Sequence, residues 1–285
     1  MIEPFLKWPG GKRWLAIRYS DLFPMGCRRY IEPFLGGGAV FFHLRPERAL
    51  LADSNTELVN VYKCLKADPE CLDRRLRRLH AQHGESLYYK MRAMAPRSPI
   101  GRAVRFLYLN RTCFNGIYRV NRKGKFNVPI GSKKLVQYPE GYLLSVSKCL
   151  RNASIKVADF EDTIDEAGAG DFVFADPPYT VMHNNNNFIK YNANLFSWSD
   201  QVRLSSALRR AASRGALIML SNADHSSIRT LYCKFGQHRR VSRSSVLAAE
   251  SDRRCKTTEL LITTYEAANG EQSHRKQQLA CDGHA

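Results

Sequence analysis

Asp176, Pro177, Pro178 and Tyr179 place a carboxylate, two rigid residues without N–H donors and an aromatic ring in consecutive positions. Phe172-Val173-Phe174-Ala175 leads straight into them, and this unbroken apolar run reads as a parallel strand buried on both faces. The prolines stop the sheet, because they donate nothing to a ladder and fix φ. The string therefore falls at the carboxyl end of a strand, the edge where open α/β sheets bind ligands. Such a set suits an exocyclic amine on a flat base. That amine's lone pair is conjugated into the ring and is a poor nucleophile. Hydrogen bonds to Asp176 and to the Pro177 carbonyl would favour a more pyramidal nitrogen with a freer lone pair, while Tyr179 stacks on the base. An Asp-Pro pair alone is usually an ordinary turn. The whole string behind an apolar strand is much harder to read that way.

Two further groups lie near the N-terminus. Pro33-Phe34-Leu35-Gly36-Gly37-Gly38 is a glycine-rich turn after a strand, and glycine lets backbone approach a ligand closely. It resembles the dinucleotide-binding pattern, except that Phe41 stands where a third glycine would be. Asp53 closes the next strand 15 residues after Gly38, a spacing suited to ribose hydroxyls. Phe5-Leu6-Lys7-Trp8-Pro9-Gly10-Gly11-Lys12 offers Lys12 to a carboxylate and Trp8 to an apolar ligand part. The plainer alternative is an arm that packs its tryptophan on the core.

The elements that must position these groups alternate between strand and helix at both ends of the chain. Arg29 to Phe34 reads as a strand, Leu35 to Gly38 as a turn, and Ala39 to Leu44 as the start of a helix. Arg48 to Ala52 is a second strand, and Asn55 to Lys66 carries Leu58, Val59, Tyr62 and Leu65 at helical spacing. From Asp68 to about Leu109 only helical patterns occur. Ile117 to Val128 reads as a β-hairpin with Gly124 at its tip. The α/β pattern then resumes: Ile155 to Val157, Phe172 to Ala175 and Ala216 to Leu220 are strands, and Ser199 to Ser213 is a helix. Glu259 to Tyr265 reads as a late antiparallel strand at the sheet edge. The polar tail from Ala267 reads as disordered. Residues 1–55 and 141–268 thus form one α/β domain, interrupted by an insert over 56–140 and followed by a tail over 269–285.

The chain has 285 residues and a net charge of +18, which points to a polyanionic partner. Residues 97–134 hold ten Lys or Arg and no Asp or Glu, with Phe106, Tyr108, Phe114, Tyr118 and Phe126 interleaved. A basic run is usually a solvated face, but an acid-free stretch centred on a hairpin favours nucleic acid. No apolar run is long enough for a membrane span, and the N-terminus lacks a secretory pattern. The eight cysteines include no Cys-x-x-Cys pair, so they read as reduced thiols of a cytoplasmic protein with no zinc or other metal site.

Taken together, these residues resemble the Dam-type (D12 class, alpha-group) DNA adenine-N6 methyltransferases over roughly residues 5–265. The resemblance is carried in order by Phe5 to Lys12, by Glu32 to Gly38 and by Ala52-Asp53-Ser54-Asn55. It continues through Phe106 to Arg111, Phe114-Asn115-Gly116, the hairpin through Phe126-Asn127-Val128-Pro129, and Asp176 to Tyr179. It implies a Rossmann-like methyltransferase sheet whose mainly helical insert recognises the target. It implies a site-specific DNA-methyltransferase (adenine-specific) that uses S-adenosyl-L-methionine on an adenine flipped from duplex DNA, with GATC as its target. By the same resemblance Asp176, Pro177 and Tyr179 are catalytic. Trp8, Lys12, Glu32, Phe34, Gly36, Gly38, Asp53, Phe160 and Asp176 bind the cofactor, while Phe114, Asn115, Arg119, Arg122, Lys123 and Lys125 bind DNA. Arg119 is the candidate for a bidentate guanine contact. Double-stranded DNA is the implied partner, with no obligate protein partner, in a bacterial, phage or mobile-element setting. The chain departs from close relatives in having Phe114 where they have tyrosine, and Val120 with Arg122-Lys123 in the hairpin.

Two more segments carry residues suited to DNA. The loop Met182 to Phe196, with Asn184 to Asn187 and Tyr191, reads as a lid over the target base. Arg239, Arg240, Arg243, Arg253, Arg254 and Lys256 read as a second phosphate grip. Rival readings are an N4-cytosine or RNA adenine methyltransferase, a catalytically silent DNA-binding regulator, and a dinucleotide oxidoreductase suggested by the glycine turn alone.

Overall fold

The computed structural model describes residues 2–121, 124–182, 196–244 and 256–266. Its strands are β1 (Arg29–Glu32), β2 (Ala49–Asp53), β3 (Ala153–Val157), β4 (Asp171–Ala175), β5 (Leu217–Ala223), β6 (Gln237–Ser244) and β7 (Lys256–Thr263). They form a seven-stranded sheet in the order β3-β2-β1-β4-β5-β7-β6. The helices include α1 (Arg13–Arg18), α2 (Ala39–Leu44), α3 (Thr56–Ala67), α4 (Pro69–Ala81), α5 (Glu85–Ala93), α6 (Pro99–Thr112), α7 (Tyr142–Leu150), α8 (Phe160–Asp165) and α9 (Trp198–Ser213). The fold is a mixed α/β, Rossmann-like one. Two compact units divide the chain: Met1–Arg13 with Phe34–Asp159, and Trp14–Pro33 with Phe160–Ala285.

In the first unit β2 and β3 pair in parallel from Ala49 opposite Ala153 to Asp53 opposite Val157. The helices begin where the sequence supplies caps. Asn55 accepts from the N–H groups of Glu57 and Leu58 at the start of α3. Asp68 followed by Pro69 opens α4, and Ser98 followed by Pro99 opens α6. Leu58, Val59, Val61, Tyr62 and Leu65 form the buried stripe of α3, while α6 buries Phe106, Leu107, Tyr108 and Leu109 in succession. The helical reading of 68–109 is thus resolved into α4, α5 and α6.

The segment read as a hairpin does reverse, with Gly124 at φ 70 in its tip. The Asn121 N–H donates to the Lys125 carbonyl at 2.9 Å, and Val120 and Phe126 make one antiparallel bridge. Among the described residues no longer ladder forms there. Arg119, Val120, Asn121 and Lys125 are exposed, while Phe126 and Val128 on the returning segment are buried, so among the described residues the outgoing segment offers little apolar face to hold two strands together.

The second unit holds the parallel pairs β1–β4 and β4–β5, then two antiparallel pairings of β7 with β5 and with β6. All of β4 is buried, as its apolar run requires. Asp171, fully buried at its start, accepts from Arg28 at 2.8 Å and Arg29 at 3.0 Å. The late strand is antiparallel as expected, but it is not the edge. β7 lies between β5 and β6, and β6 is outermost. The chemistry explains the correction. Leu260, Leu261 and Ile262 are buried on both faces of β7, whereas Gln237-His238-Arg239-Arg240 is a charged run of the kind that protects an open sheet edge. Ser197 and Asp200 close a capping box on α9. Its Arg203 and Arg210 then pair with Glu161 and Asp165 of α8.

Candidate active site

In the second unit, β4 delivers Asp176, Pro177, Pro178 and Tyr179 at its carboxyl end. Asp176 and Tyr179 are partly exposed and Pro177 is buried. The β1–β4 register runs to Ile31 opposite Val173, so Glu32 lies one step further along, level with Phe174. Two carboxylates therefore sit near the same end of adjacent strands. Their field is felt by Tyr30: burial pushes its hydroxyl pKa well up, and the charges of Glu32, Cys27 and Asp176 push it further.

The Tyr179 hydroxyl lies 2.7 Å from Glu259 Oε2 on β7 and 2.9 Å from Ser221 Oγ on β5. Burial first, then the Asp176 and Glu259 carboxylates, hold it protonated far above the ordinary tyrosine range. Next to it, the Thr180 hydroxyl donates to the Phe196 carbonyl at 2.6 Å, anchoring the far side of the following loop. Phe160 opens α8 with its ring 5.4 Å from that of Phe196, and the Arg203 guanidinium lies 4.8 Å from its centroid.

In the first unit the glycine turn is held by two side chains, Asp53 and Tyr62. The Gly36 N–H donates to Asp53 Oδ2 at 3.0 Å, and the Asn55 N–H donates to Asp53 Oδ1 at 2.9 Å. The buried Tyr62 hydroxyl donates to the Gly36 carbonyl at 3.0 Å. Gly36 and Gly38 have φ values of 47 and 64, a region that favours glycine. A Cβ on Gly36 would lie 2.7 Å from Cδ1 of Trp8, so the indole lies directly on the turn. Burial raises the Asp53 pKa, while the two N–H donors pull it back. Phe34 is half-buried. Lys12 is 4% exposed and its ammonium donates to the Gly10 carbonyl at 3.1 Å.

The same unit carries the DNA-binding candidates. Phe114 is 55% exposed at the end of α6, and Asn115 beside it takes φ 54 and ψ 7. The Arg119 Nε donates to Asn127 Oδ1 at 3.0 Å, and Lys125 is exposed. Beneath them runs an aromatic column: Trp8 stacks 6.4 Å from Phe106, Phe106 lies 4.1 Å from Tyr118, and Tyr118 lies 5.3 Å from Phe126. Arg122, Lys123, Arg253 and Arg254 lie outside the described residues, as do the tail from 267 and positions 183–195 of the segment Met182 to Phe196 read as a lid, Tyr191 among them.

Three residues with roles here were not singled out from the sequence. Asn110, buried in α6, donates to the Lys7 and Gly116 carbonyls at 2.8 and 3.1 Å and accepts from the Lys7 N–H at 3.0 Å. It ties the N-terminal arm to the Phe114–Gly116 turn. Glu259 and Ser221 hold Tyr179. A lone acid among buried leucines, Thr258-Glu259-Leu260-Leu261, was the available signal for Glu259.

Known proteins resemble the chain over most of its length. Residues 8–246 match the family described as D12 class N6 adenine-specific DNA methyltransferase. The type II methyltransferase M1.LlaDCHI of Lactococcus lactis subsp. cremoris is 38% identical over 273 residues, covering 93% of this chain and 96% of that protein. The type II methyltransferase M.MjaIII of Methanocaldococcus jannaschii is 34% identical, covering 93% and 99%. A DNA adenine methylase of Vibrio cholerae is 36% identical, covering 80% and 84%. With a match across nearly its whole length and relatives of this similarity, the chain belongs to the D12 class N6 adenine-specific DNA methyltransferases.

Proposed function

We propose that this adenine-N6 DNA methyltransferase takes its methyl group from S-adenosyl-L-methionine and acts on an adenine flipped from duplex DNA within GATC. The observation that carries the reading is the Asp176-Pro177-Pro178-Tyr179 string at the end of the buried β4, with Tyr179 held by two further strands.

The residues present fit the cofactor. The three glycines of the turn carry no side chains of their own, so backbone is open to close approach on the side away from Trp8, and each Asp53 oxygen that takes a backbone N–H keeps a lone pair for a ribose hydroxyl. Lys12 supplies a cation for the carboxylate, Trp8 and Phe34 supply apolar surface, and Phe160 supplies a ring for the adenine. Glu32, Gly36, Gly38 and Asp176 complete the set. When bound, the sulfonium provides an electrophilic methyl group, so no enzyme nucleophile is needed. The chain's own work is to orient, desolvate and activate the amine. Asp176 and the Pro177 carbonyl accept hydrogen bonds from N6, and Tyr179 stacks on the base.

N6 is paired and stacked inside a duplex, and extruding the base costs a few kcal/mol. Phosphate contacts from the basic insert (56–140) and a wedge by Phe114 offset that cost. Arg119 reads guanine, with Asn115, Lys125, Arg122 and Lys123 beside it in sequence. Incubating unmethylated plasmid with labelled S-adenosyl-L-methionine tests the reading. Expected are N6-methyladenine and a full switch between enzymes that cut only methylated or only unmethylated GATC. N6-methyladenine without that switch would discard GATC. No label in DNA would discard the donor or the substrate.

A further inference from the structure

Glu259 is the only acid in β7 and is 3% exposed. A carboxylate removed from water needs hydrogen-bond donors to be tolerated. Here one donor is the hydroxyl of Tyr179, 80 residues earlier in the chain, at 2.7 Å. Ser221 Oγ lies 3.4 Å from the same carboxylate oxygen. The β5–β7 register sets Ser221 opposite Leu261, two residues from Glu259, so both side chains lie on one face of the sheet as diagonal neighbours. Ser221 is itself fully buried and lies 2.9 Å from the same tyrosine hydroxyl. Two groups on two strands therefore grip one phenol oxygen. Tyr179 itself stands in a loop four residues beyond the end of β4, where no ladder fixes its backbone.

A tyrosine ring is set by two side-chain torsions. Fixing its terminal oxygen on two strands removes both freedoms while leaving a ring face for another flat group. We propose that Glu259, with Ser221, is a positioning residue that locks the Tyr179 ring in the orientation that receives the target adenine. The inference rests on the reading of Tyr179 as the stacking residue. The strong raising of the tyrosine pKa fits, because the hydroxyl then stays a donor to Glu259 throughout the working range. The sheet's antiparallel end, distant in sequence from the Asp-Pro-Pro-Tyr string, thus gains a role in methyl transfer.

The test is a double-mutant cycle read by single-turnover methylation of duplex DNA at saturating cofactor. Tyr179→Phe and Glu259→Leu should each slow methyl transfer roughly 10- to 100-fold, the scale of a misplaced reacting group, with the KM values for DNA and cofactor little changed. The double variant should be no slower than the slower single. Glu259→Gln keeps an acceptor for the phenol and should recover most of the rate. Additive losses, or a wild-type rate in Tyr179→Phe, would overturn the proposal. So would a Glu259→Gln enzyme as slow as Glu259→Leu. Should Glu259→Leu not fold, Tyr179→Phe and Glu259→Gln decide on their own. Tyr179→Leu separates the two layers. If it keeps full activity, the stacking role falls; if it is slow while Tyr179→Phe is fast, only the anchoring falls.

Discussion

Replacing Gly38 by alanine should destabilise this protein more than replacing Gly36, although both glycines sit at positive φ in one turn. An L-residue in the left-handed region costs about 1–2 kcal/mol, which both variants share. The surroundings differ. A Cβ at Gly38 would meet the Tyr62 hydroxyl at 3.0 Å and Phe42 Cε2 at 3.2 Å. Both rings are fully buried, and the Tyr62 hydroxyl is committed to the Gly36 carbonyl. Neither can retreat without breaking that bond or compressing the core, and overpacking of this kind adds about 1–3 kcal/mol. The sum is roughly 2–5 kcal/mol, a large share of a stability of about 5–15 kcal/mol. At Gly36 the first contact is Cδ1 of Trp8 at 2.7 Å, and Trp8 is only half-buried. The indole can swing outward, so Gly36→Ala should stay near 1–2 kcal/mol while moving the tryptophan. Denaturant melts would give the two losses, and tryptophan emission would report Trp8. If Gly38→Ala is no worse than Gly36→Ala, the buried contacts of the turn are misassigned. If emission is unchanged in Gly36→Ala, the indole does not lie on the turn.

Asp176→Ala should leave a folded, DNA-binding protein whose methylation rate is at least ~100-fold lower, measured with labelled donor; substantial turnover would remove Asp176 from the chemistry. Arg119→Ala should relax sequence preference by about 1–3 kcal/mol at one position more than it lowers affinity for all DNA; an equal loss on every sequence in a binding titration would make Arg119 a phosphate contact. Burial raises the Asp53 pKa, and the ionised form is the acceptor for ribose hydroxyls. Cofactor affinity should therefore fall as pH drops towards a value above the usual Asp range of about 3.9. Asp53→Asn should flatten that profile in calorimetry. Hydrogen bonds from Arg210 lower the pKa values of Glu161 and Asp165, against a smaller opposing effect of burial. The stability they add is fully present above the usual carboxylate range of about 4 and is lost as pH falls through the lowered values. Because these groups face solvent, Arg210→Met should cost only about 1 kcal/mol near pH 7, and less at pH 3.

What was legible in the sequence followed from local chemistry. The run Phe172 to Ala175 is apolar at every position, so strand, burial and the placement of Asp176 at its end came together. The helix from Asn55 was legible from its apolar periodicity, but 68–109 was read as one helical stretch, because its divisions rest on the local caps at Asp68 and Ser98 that the periodicity does not mark. β6 was missed because its edge position favours arginines, and among its described side chains Val241 alone is buried in the core. The rank of β7 was misjudged for the matching reason, since strand order depends on partners remote in sequence. The grip of Glu259 on Tyr179 joins residues 80 apart, and no periodicity encodes such a pairing.

The buried Asp171 carries a consequence for how the chain is made. Its two arginine partners, Arg28 and Arg29, precede it by 143 and 142 residues. During synthesis β1 emerges early and must wait for β4 before its central pairing exists. Closing so long a loop is entropically expensive, and topologies dominated by remote contacts fold slowly. A fragment beginning at residue 160 would also present Asp171 without either cation, and an unpaired buried charge is costly by about 3–5 kcal/mol. The second unit is therefore not separable as a contiguous piece of the gene. A stop codon or a cut anywhere between residues 33 and 171 divides its sheet, and reassembly from two fragments would have to begin with the pairing of β1 and β4.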